Sequence, residues 1–92
     1  MSDDVYELVV ARPAARTISD GLPEAVATAV LDFITGALIE NPHRVGRELR
    51  RELAGVFSAR RGTYRILYRI DETSRTVTVL RIDHRSDVYR VL

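Results

Sequence analysis

The sequence predicts an α+β domain: an N-terminal strand and two helices, then a three-stranded antiparallel meander, with the helices packed on one face of the sheet. Three observations carry this. Val5 to Arg12 alternates loosely between two faces. Val26, Val30, Phe33, Ala37 and Leu38 recur at three- and four-residue spacing, which makes one apolar helical stripe. Two alternating runs flank Gly62, and a third apolar run follows a turn. At 92 residues the chain is expected to form one domain, residues 1–92.

Taken in order, Val5 to Arg12 reads as a strand, with Tyr6, Leu8 and Val10 sharing a face. Pro13 suits a first helical turn and opens a short helix to Asp20, which Gly21 closes. A second helix is expected from Pro23 to about Glu40. It stops at Asn41-Pro42, because the residue before proline avoids the helical region. His43 to Gly55 is a polar, arginine-rich connection, with a helical turn suggested around Glu48 to Leu53. Strands follow at Val56–Arg61 and Thr63–Ile70, with Gly62 as the turn. In the second, Tyr64, Ile66, Tyr68 and Ile70 share one face, and Arg65, Leu67 and Arg69 the other. After a turn at Asp71–Ser74, Arg75 to Asp83 carries apolar residues at Val77, Val79, Leu80 and Ile82. They fall on both faces, which suggests a central strand covered twice. Arg85 to Leu92 reads as a tail of one or two helical turns.

Charge is divided unevenly. Residues 1–40 hold two arginines against seven acids, a net −5, and residues 41–92 hold twelve against six, a net +6. Every basic residue is arginine and lysine is absent, a bias that a GC-rich genome would also produce. The basic C-terminal half points to an anionic partner, either nucleic acid or an acidic protein covering the same surface.

Several chemistries are set aside. Without cysteine there is no disulfide framework and no thiolate metal site. His43 and His84 are the only histidines, and neither has a second strong ligand at chelating spacing, so no metal is expected. A triad of Ser58 or Ser86 with His84 and Asp83 is poorly placed, because adjacent strand residues point to opposite faces. No glycine-rich phosphate loop opens a helix. The mostly apolar stretch from Ala25 to Ile39 is short for a membrane span and carries Asp32. The acidic start, Met1-Ser2-Asp3-Asp4, is unlike a signal peptide, so a cytoplasmic location is expected.

What remains is the cluster Arg60-Arg61-Gly62-Thr63-Tyr64-Arg65, with Asp83-His84-Arg85-Ser86-Asp87-Val88-Tyr89 downstream. Arg60 and Arg65 are expected as cross-strand neighbours, with His84, Arg85 and Tyr89 returning over the same concavity. Guanidinium forks bind phosphate bidentately. A tyrosine ring offers a stacking surface, and imidazole titrates near neutrality, where proton transfer is useful. The plainer reading is open too: solvated arginines, a strand-end histidine, Tyr64 and Tyr68 in the core, and Tyr89 as a packing anchor.

The segments Leu53-x-Gly55, Ala59-Arg60-Arg61-Gly62-Thr63-Tyr64-Arg65-Ile66-Leu67-Tyr68 and His84-Arg85-Ser86-Asp87-Val88-Tyr89 resemble the RelE family of toxin–antitoxin modules, within the wider RelE/ParE superfamily. Actinobacterial RelE-like toxins with an Ala-Arg-Arg-Gly strand are the nearest in pattern. The resemblance covers nearly the whole chain. It implies a ribosome-dependent, metal-independent endoribonuclease that cuts mRNA in the A site. A RelB-like antitoxin would hold it inactive, and the complex would bind its own promoter DNA through the antitoxin. By motif, Arg60, Arg65, His84, Arg85 and Tyr89 are the implied catalytic set, with Arg61, Arg47 and Arg51 as RNA contacts. The antitoxin's acidic part is expected over Arg61, Arg65 and Arg85. The family's two lysines before the turn align with Val56 and Ser58, which makes His84 the candidate for a lysine's role. Two alternatives share the fold: a ParE-like inhibitor of DNA gyrase, and an inactive relative that only binds its antitoxin.

Overall fold

The computed structural model describes residues 5–84. A five-stranded sheet runs in the order β1-β5-β4-β3-β2. Its strands are β1 (Glu7–Val10), β2 (Arg47–Glu48), β3 (Phe57–Arg61), β4 (Tyr64–Asp71) and β5 (Thr76–His84). The β3-β4-β5 meander is antiparallel as expected, and β1 lies parallel to β5, Glu7 opposite Thr76 and Val10 opposite Val79. The two-residue β2 was not expected. It pairs Arg47 with Ser58 and Glu48 with Phe57 at the β3 edge.

β1 is shorter than its alternation suggested, because the chain turns helical at Arg12 with Pro13 in the first turn. Helix α1 (Arg12–Arg16) runs on into a wider π-helical turn at Thr17–Gly21. The expected single helix from Pro23 to Glu40 is two: α2 (Glu24–Ile34) and α3 (Ala37–Glu40). The break has a local cause. The Thr35 hydroxyl donates to the Leu31 carbonyl at 2.7 Å, and Gly36 adopts a non-helical φ of −126° and ψ of −96°. A further short turn, α4 (Pro42–Val45), follows Asn41.

The helices cover one sheet face. Val30, Phe33, Ile34 and Leu38 meet Ala59, Ile66, Tyr68, Val77, Val79 and Ile82, all buried. Truncating one of these large aliphatic side chains to alanine typically costs about 2–5 kcal/mol. β5 corrects one expectation. Leu67 pairs with Arg81 while Tyr68 pairs with Val79, so Leu80 is an extra, bulged residue. The bulge resets the alternation and turns Val77, Val79 and Ile82 to the same core. Three of the four apolar residues expected on two covered faces therefore share one, and Leu80 is half-buried outside that core. β5 is nonetheless interior to the sheet, between β1 and β4.

A polar cluster ties α4 to the β4–β5 turn. Glu72 accepts the Tyr6 hydroxyl at 2.9 and 3.0 Å and is hydrogen-bonded to His43 Nε2. Arg75 lies over the Tyr6 ring, 4.1 Å from its centroid.

Candidate functional site: an arginine-walled cleft

The register sorts the basic residues by face. On the helix side, Arg61 pairs with Tyr64 and Tyr64 with His84. On the other side, Arg60 pairs with Arg65 and Arg65 with Asp83, and the next row is Arg47, Ser58, Leu67 and Arg81. Two arginines directly opposed across strands repel each other. A fold that keeps them there gains nothing from the pair itself and is suited to an anion that lies between them.

Around this pair is a cleft of about 550 Å³. Arg44, Arg47, Arg50, Arg60 and Arg65 line it, with Leu49, Leu53, Val45, Gly46 and Ser58. Among the described residues no carboxylate is in that lining, so their potential inside it is positive. Arg60 stands out into solvent and Arg65 is half-buried.

Local structure explains why the walls stand where they do. The lip made by α4 and β2 is seated on Tyr68, whose hydroxyl donates to the Pro42 carbonyl at 2.6 Å. Burial pushes the Tyr68 phenol up to about 12, so it remains a donor at neutral pH. The Tyr68 ring also stacks on Phe57, centroids 5.5 Å apart. Across the cleft, Leu49 N–H donates to the Val56 carbonyl at 2.8 Å. Gly55, at φ +90°, donates to Glu48 Oε2 at 2.8 Å. That bond engages the Glu48 carboxylate with the turn rather than the cleft. Arg51 adopts φ +62° at the start of a single 3₁₀ turn, Arg51–Leu53.

The expectation of one shared concavity is therefore corrected in part. Arg60 and Arg65 come together as neighbours, and Arg47 joins them in the cleft. His84 does not. It meets the Tyr64 ring edge-on at 5.3 Å, on the helix side. Arg61 is also on that side, 3.7 Å above the Phe33 ring, with Nη1 donating to the Arg60 carbonyl at 2.6 Å. Arg61 and Arg65 thus lie on opposite faces, and one acidic partner segment covering both would have to wrap the sheet end. Arg51 is outside the lining. Arg85 and Tyr89, and the tail turn expected for Arg85 to Leu92, lie outside the described residues. Arg44 and Arg50 were missed. Their only signal was arginine density in an irregular connection, where spacing predicts no common face.

Beside the cleft, Asp83 accepts from Arg81, Nη2 to Oδ1 at 3.2 Å. Its side chain is 12% exposed, and Oδ2 is buried with no hydrogen-bond partner among the described residues.

Comparison with known proteins gives a consistent picture. The model of a family described as "ParE toxin of type II toxin-antitoxin system, parDE" matches residues 10–89. Toxin RelG of Mycobacterium tuberculosis is 61% identical over 69 residues, 75% of this chain and 79% of that protein. Toxin RelE of the same organism is 45% identical over 92 residues, 99% of this chain and 94% of that protein. Among solved structures, the toxin–antitoxin complex RelBE2 of Mycobacterium tuberculosis contains a chain 52% identical, with a TM-score of 0.82, covering 88% of this chain and 99% of that one. The intact RelBE complex of E. coli matches at 16% identity and a TM-score of 0.71, over 86% and 95% of the two chains, a likeness of fold.

Proposed function

The chain belongs to the ParE toxin family of type II toxin–antitoxin systems, on the RelE side of that superfamily, and from that premise we propose that it stops translation by cutting mRNA on the ribosome. It is the toxin component of such a module. The observation that carries the nuclease reading is a cleft to which the described residues bring five arginines and no carboxylate. A polyanion threaded through it meets a guanidinium at each wall.

The reaction is the one the family resemblance implies, and the cleft suits it. The ribose 2′-hydroxyl gives up its proton to solvent as its oxygen attacks the adjacent phosphorus, the bond to the 5′-oxygen breaks, and that oxygen takes a proton from solvent, leaving a cyclic phosphate and a 5′-hydroxyl. Charge builds on the phosphorane oxygens, and Arg60 and Arg65 are placed to neutralise it. Among the described residues the lining holds no carboxylate or imidazole, and the reaction that the family resemblance implies is metal-independent and carried by guanidinium. Guanidinium does not deprotonate in proteins, so the arginines stabilise charge and do not serve as the base. Arg47 contacts the RNA backbone within the cleft. Arg85 and Tyr89 keep the roles the family resemblance gives them, a second basic group and a stacking ring.

The partner proposed is a RelB-like antitoxin, since the neighbouring structures include RelBE complexes. The complex would bind promoter DNA through the antitoxin. The site of action is the cytoplasm, where ribosomes are. Among the described residues no helix is long and apolar enough to cross a membrane.

Induction without antitoxin, with 5′ ends mapped on ribosome-bound messages, tests the reading. In-frame cuts are expected. The second reading, a gyrase inhibitor, draws on the family model's description and on the absence of lysine at Val56 and Ser58. Intact messages with gyrase-linked DNA breaks would put that reading first. Intact messages with normal growth would mark a protein that only binds its antitoxin.

A further inference from the structure

Among the described residues Asp83 is the one carboxylate placed directly across the ladder from a cleft arginine, and the chemistry above gives it no role. It sits opposite Arg65 in the β4–β5 pairing. Directly opposed side chains of antiparallel strands have Cβ atoms about 4.5–5.5 Å apart, close enough for a carboxylate to act on a guanidinium. Arg65 thus stands between a like charge on β3, Arg60, and an opposite charge on β5, Asp83.

Asp83 is itself held. Arg81, two residues back on the same strand, donates to Oδ1, and the side chain is mostly buried. A desolvated carboxylate persists only beside cations or donors. Arg81 fills one oxygen. Oδ2 remains as a buried acceptor, and Asp83 is not part of the cleft lining. It is therefore positioned to act on a neighbouring side chain rather than on a strand of RNA in the cleft.

We propose that Asp83 is a positioning residue, whose carboxylate, anchored by Arg81, fixes the orientation in which Arg65 meets the scissile phosphate. The proposal deepens the nuclease reading and rests on it. Repulsion from Arg60 would otherwise turn Arg65 away from the phosphate. The attraction of Asp83 keeps the guanidinium on its strand row.

The test is a double-variant cycle on the full chain freed from its antitoxin. Single-turnover cleavage on programmed ribosomes is measured for wild type, Asp83→Asn, Arg65→Ala and the pair together. Arg65→Ala should slow cleavage on the order of 10²–10³-fold, and Asp83→Asn by about 10–100-fold, the scale of a misplaced group. The double variant should match Arg65→Ala alone, because a residue acting through Arg65 has nothing left to act on. Binding of a message carrying a 2′-deoxy nucleotide at the cut position should change less than about 3-fold in Asp83→Asn, since orientation affects kcat more than binding. A double variant slower by the full product of both losses overturns the proposal and makes Asp83 an independent participant such as the base. So does an Asp83→Asn chain that cuts at the wild-type rate. If Asp83→Asn does not fold, by circular dichroism, Asp83→Ser enters the same cycle. If wild type leaves messages intact, the nuclease reading fails by itself. The cycle is then read by calorimetric binding of inorganic pyrophosphate, which rests on the Arg60–Arg65 pair where a message spreads over the whole cleft: Asp83→Asn should shift its affinity in the presence of Arg65 and not in its absence, and no shift, or an equal shift in both backgrounds, overturns the proposal.

Discussion

Arg65 and His84 stand on adjacent rungs of the β4–β5 ladder yet face opposite sides of the sheet, Arg65 across from Asp83 and His84 across from Tyr64. Arg65 lines the cleft and His84 rests edge-on against an aromatic ring on the helix side. Arg65→Ala should therefore slow cleavage steeply with folding nearly unchanged. His84→Gln should stay within about 3-fold of wild type and keep its rate profile between about pH 5.5 and 7.5, where a working imidazole would titrate. Single-turnover rates against pH decide it. A steep loss with a flattened profile in His84→Gln would return the histidine to proton transfer.

The cleft also predicts how binding depends on salt. Each arginine that neutralises a phosphate releases a counterion, and the logarithm of affinity falls with the logarithm of salt by about 0.7 per contact on a single strand. Arg50 is exposed and lines the cleft, so Arg50→Ala should weaken RNA binding and lower that slope by about 0.7. An unchanged slope would mean Arg50 points at solvent in the complex.

How far the sequence could carry this depended on regular spacing. Tyr64, Ile66, Tyr68 and Ile70 alternate cleanly, and β4 forms with that face inward, as read. β5 was read less well because one bulged residue, Leu80, shifts the alternation midway and imitates a strand buried on both sides. The helix break at Thr35-Gly36 goes with a side-chain hydrogen bond from Thr35 to Leu31 and a non-helical Gly36, neither of which hydrophobic periodicity registers. At the site, Arg60 and Arg65 were legible because a tight turn at Gly62 fixes their pairing. His84 was assigned to the wrong face because the register of β5 against β4 is set by that bulge as well as by the turn. Arg44 and Arg50 were illegible, since no period governs the connection that carries them.

Glu72 gives a prediction in pH. Its hydrogen bond with His43, and second the one from Tyr6, hold its carboxyl below the usual carboxylate range. The unfolded chain then takes up the proton first as pH falls. The stabilisation is complete above the ordinary value of 4.5 and is lost as pH drops through the lower folded value. Glu72→Gln should melt below wild type at neutral pH, and the gap should narrow as the pH falls below the ordinary value of 4.5. Melting curves across pH test this. A gap that stays constant would trace to lost packing rather than to charge.

Arg51 gives a prediction in stability alone. A non-glycine residue in the left-handed region costs roughly 1–2 kcal/mol, and Arg51 holds φ +62° without lining the cleft. Arg51→Gly should raise the urea midpoint by the equivalent of about 0.5–1 kcal/mol, glycine's greater unfolded freedom offsetting part of the gain. RNA affinity should hold within about 2-fold, less than the loss of a phosphate contact would give. A clear fall in affinity would instead support Arg51 as an RNA contact beyond the cleft.

Gly46 links the core to the cleft. Its φ of −141° is open to any residue, so what it supplies is space rather than backbone freedom. A Cβ there would overlap the Tyr68 hydroxyl and come within 2.9 Å of the Ser58 carbonyl oxygen. Neither neighbour can retreat cheaply: the hydroxyl is bonded to Pro42, and Ser58 is paired with Arg47 in the sheet. Gly46→Ala should lift α4 and β2 from β3, carry Arg44 and Arg47 out of register with Arg60 and Arg65, and cost about 1–3 kcal/mol, the range for overpacking. Tyr68→Phe alone should also destabilise, by about 1–3 kcal/mol, because it leaves the Pro42 carbonyl without its donor. Combined, the two changes should cost less than their separate effects added, since removing the hydroxyl makes room for the methyl. Urea unfolding of the four chains, with cleavage rates alongside, reads both consequences. Simple additivity would show that the lip of the cleft is not seated on Tyr68.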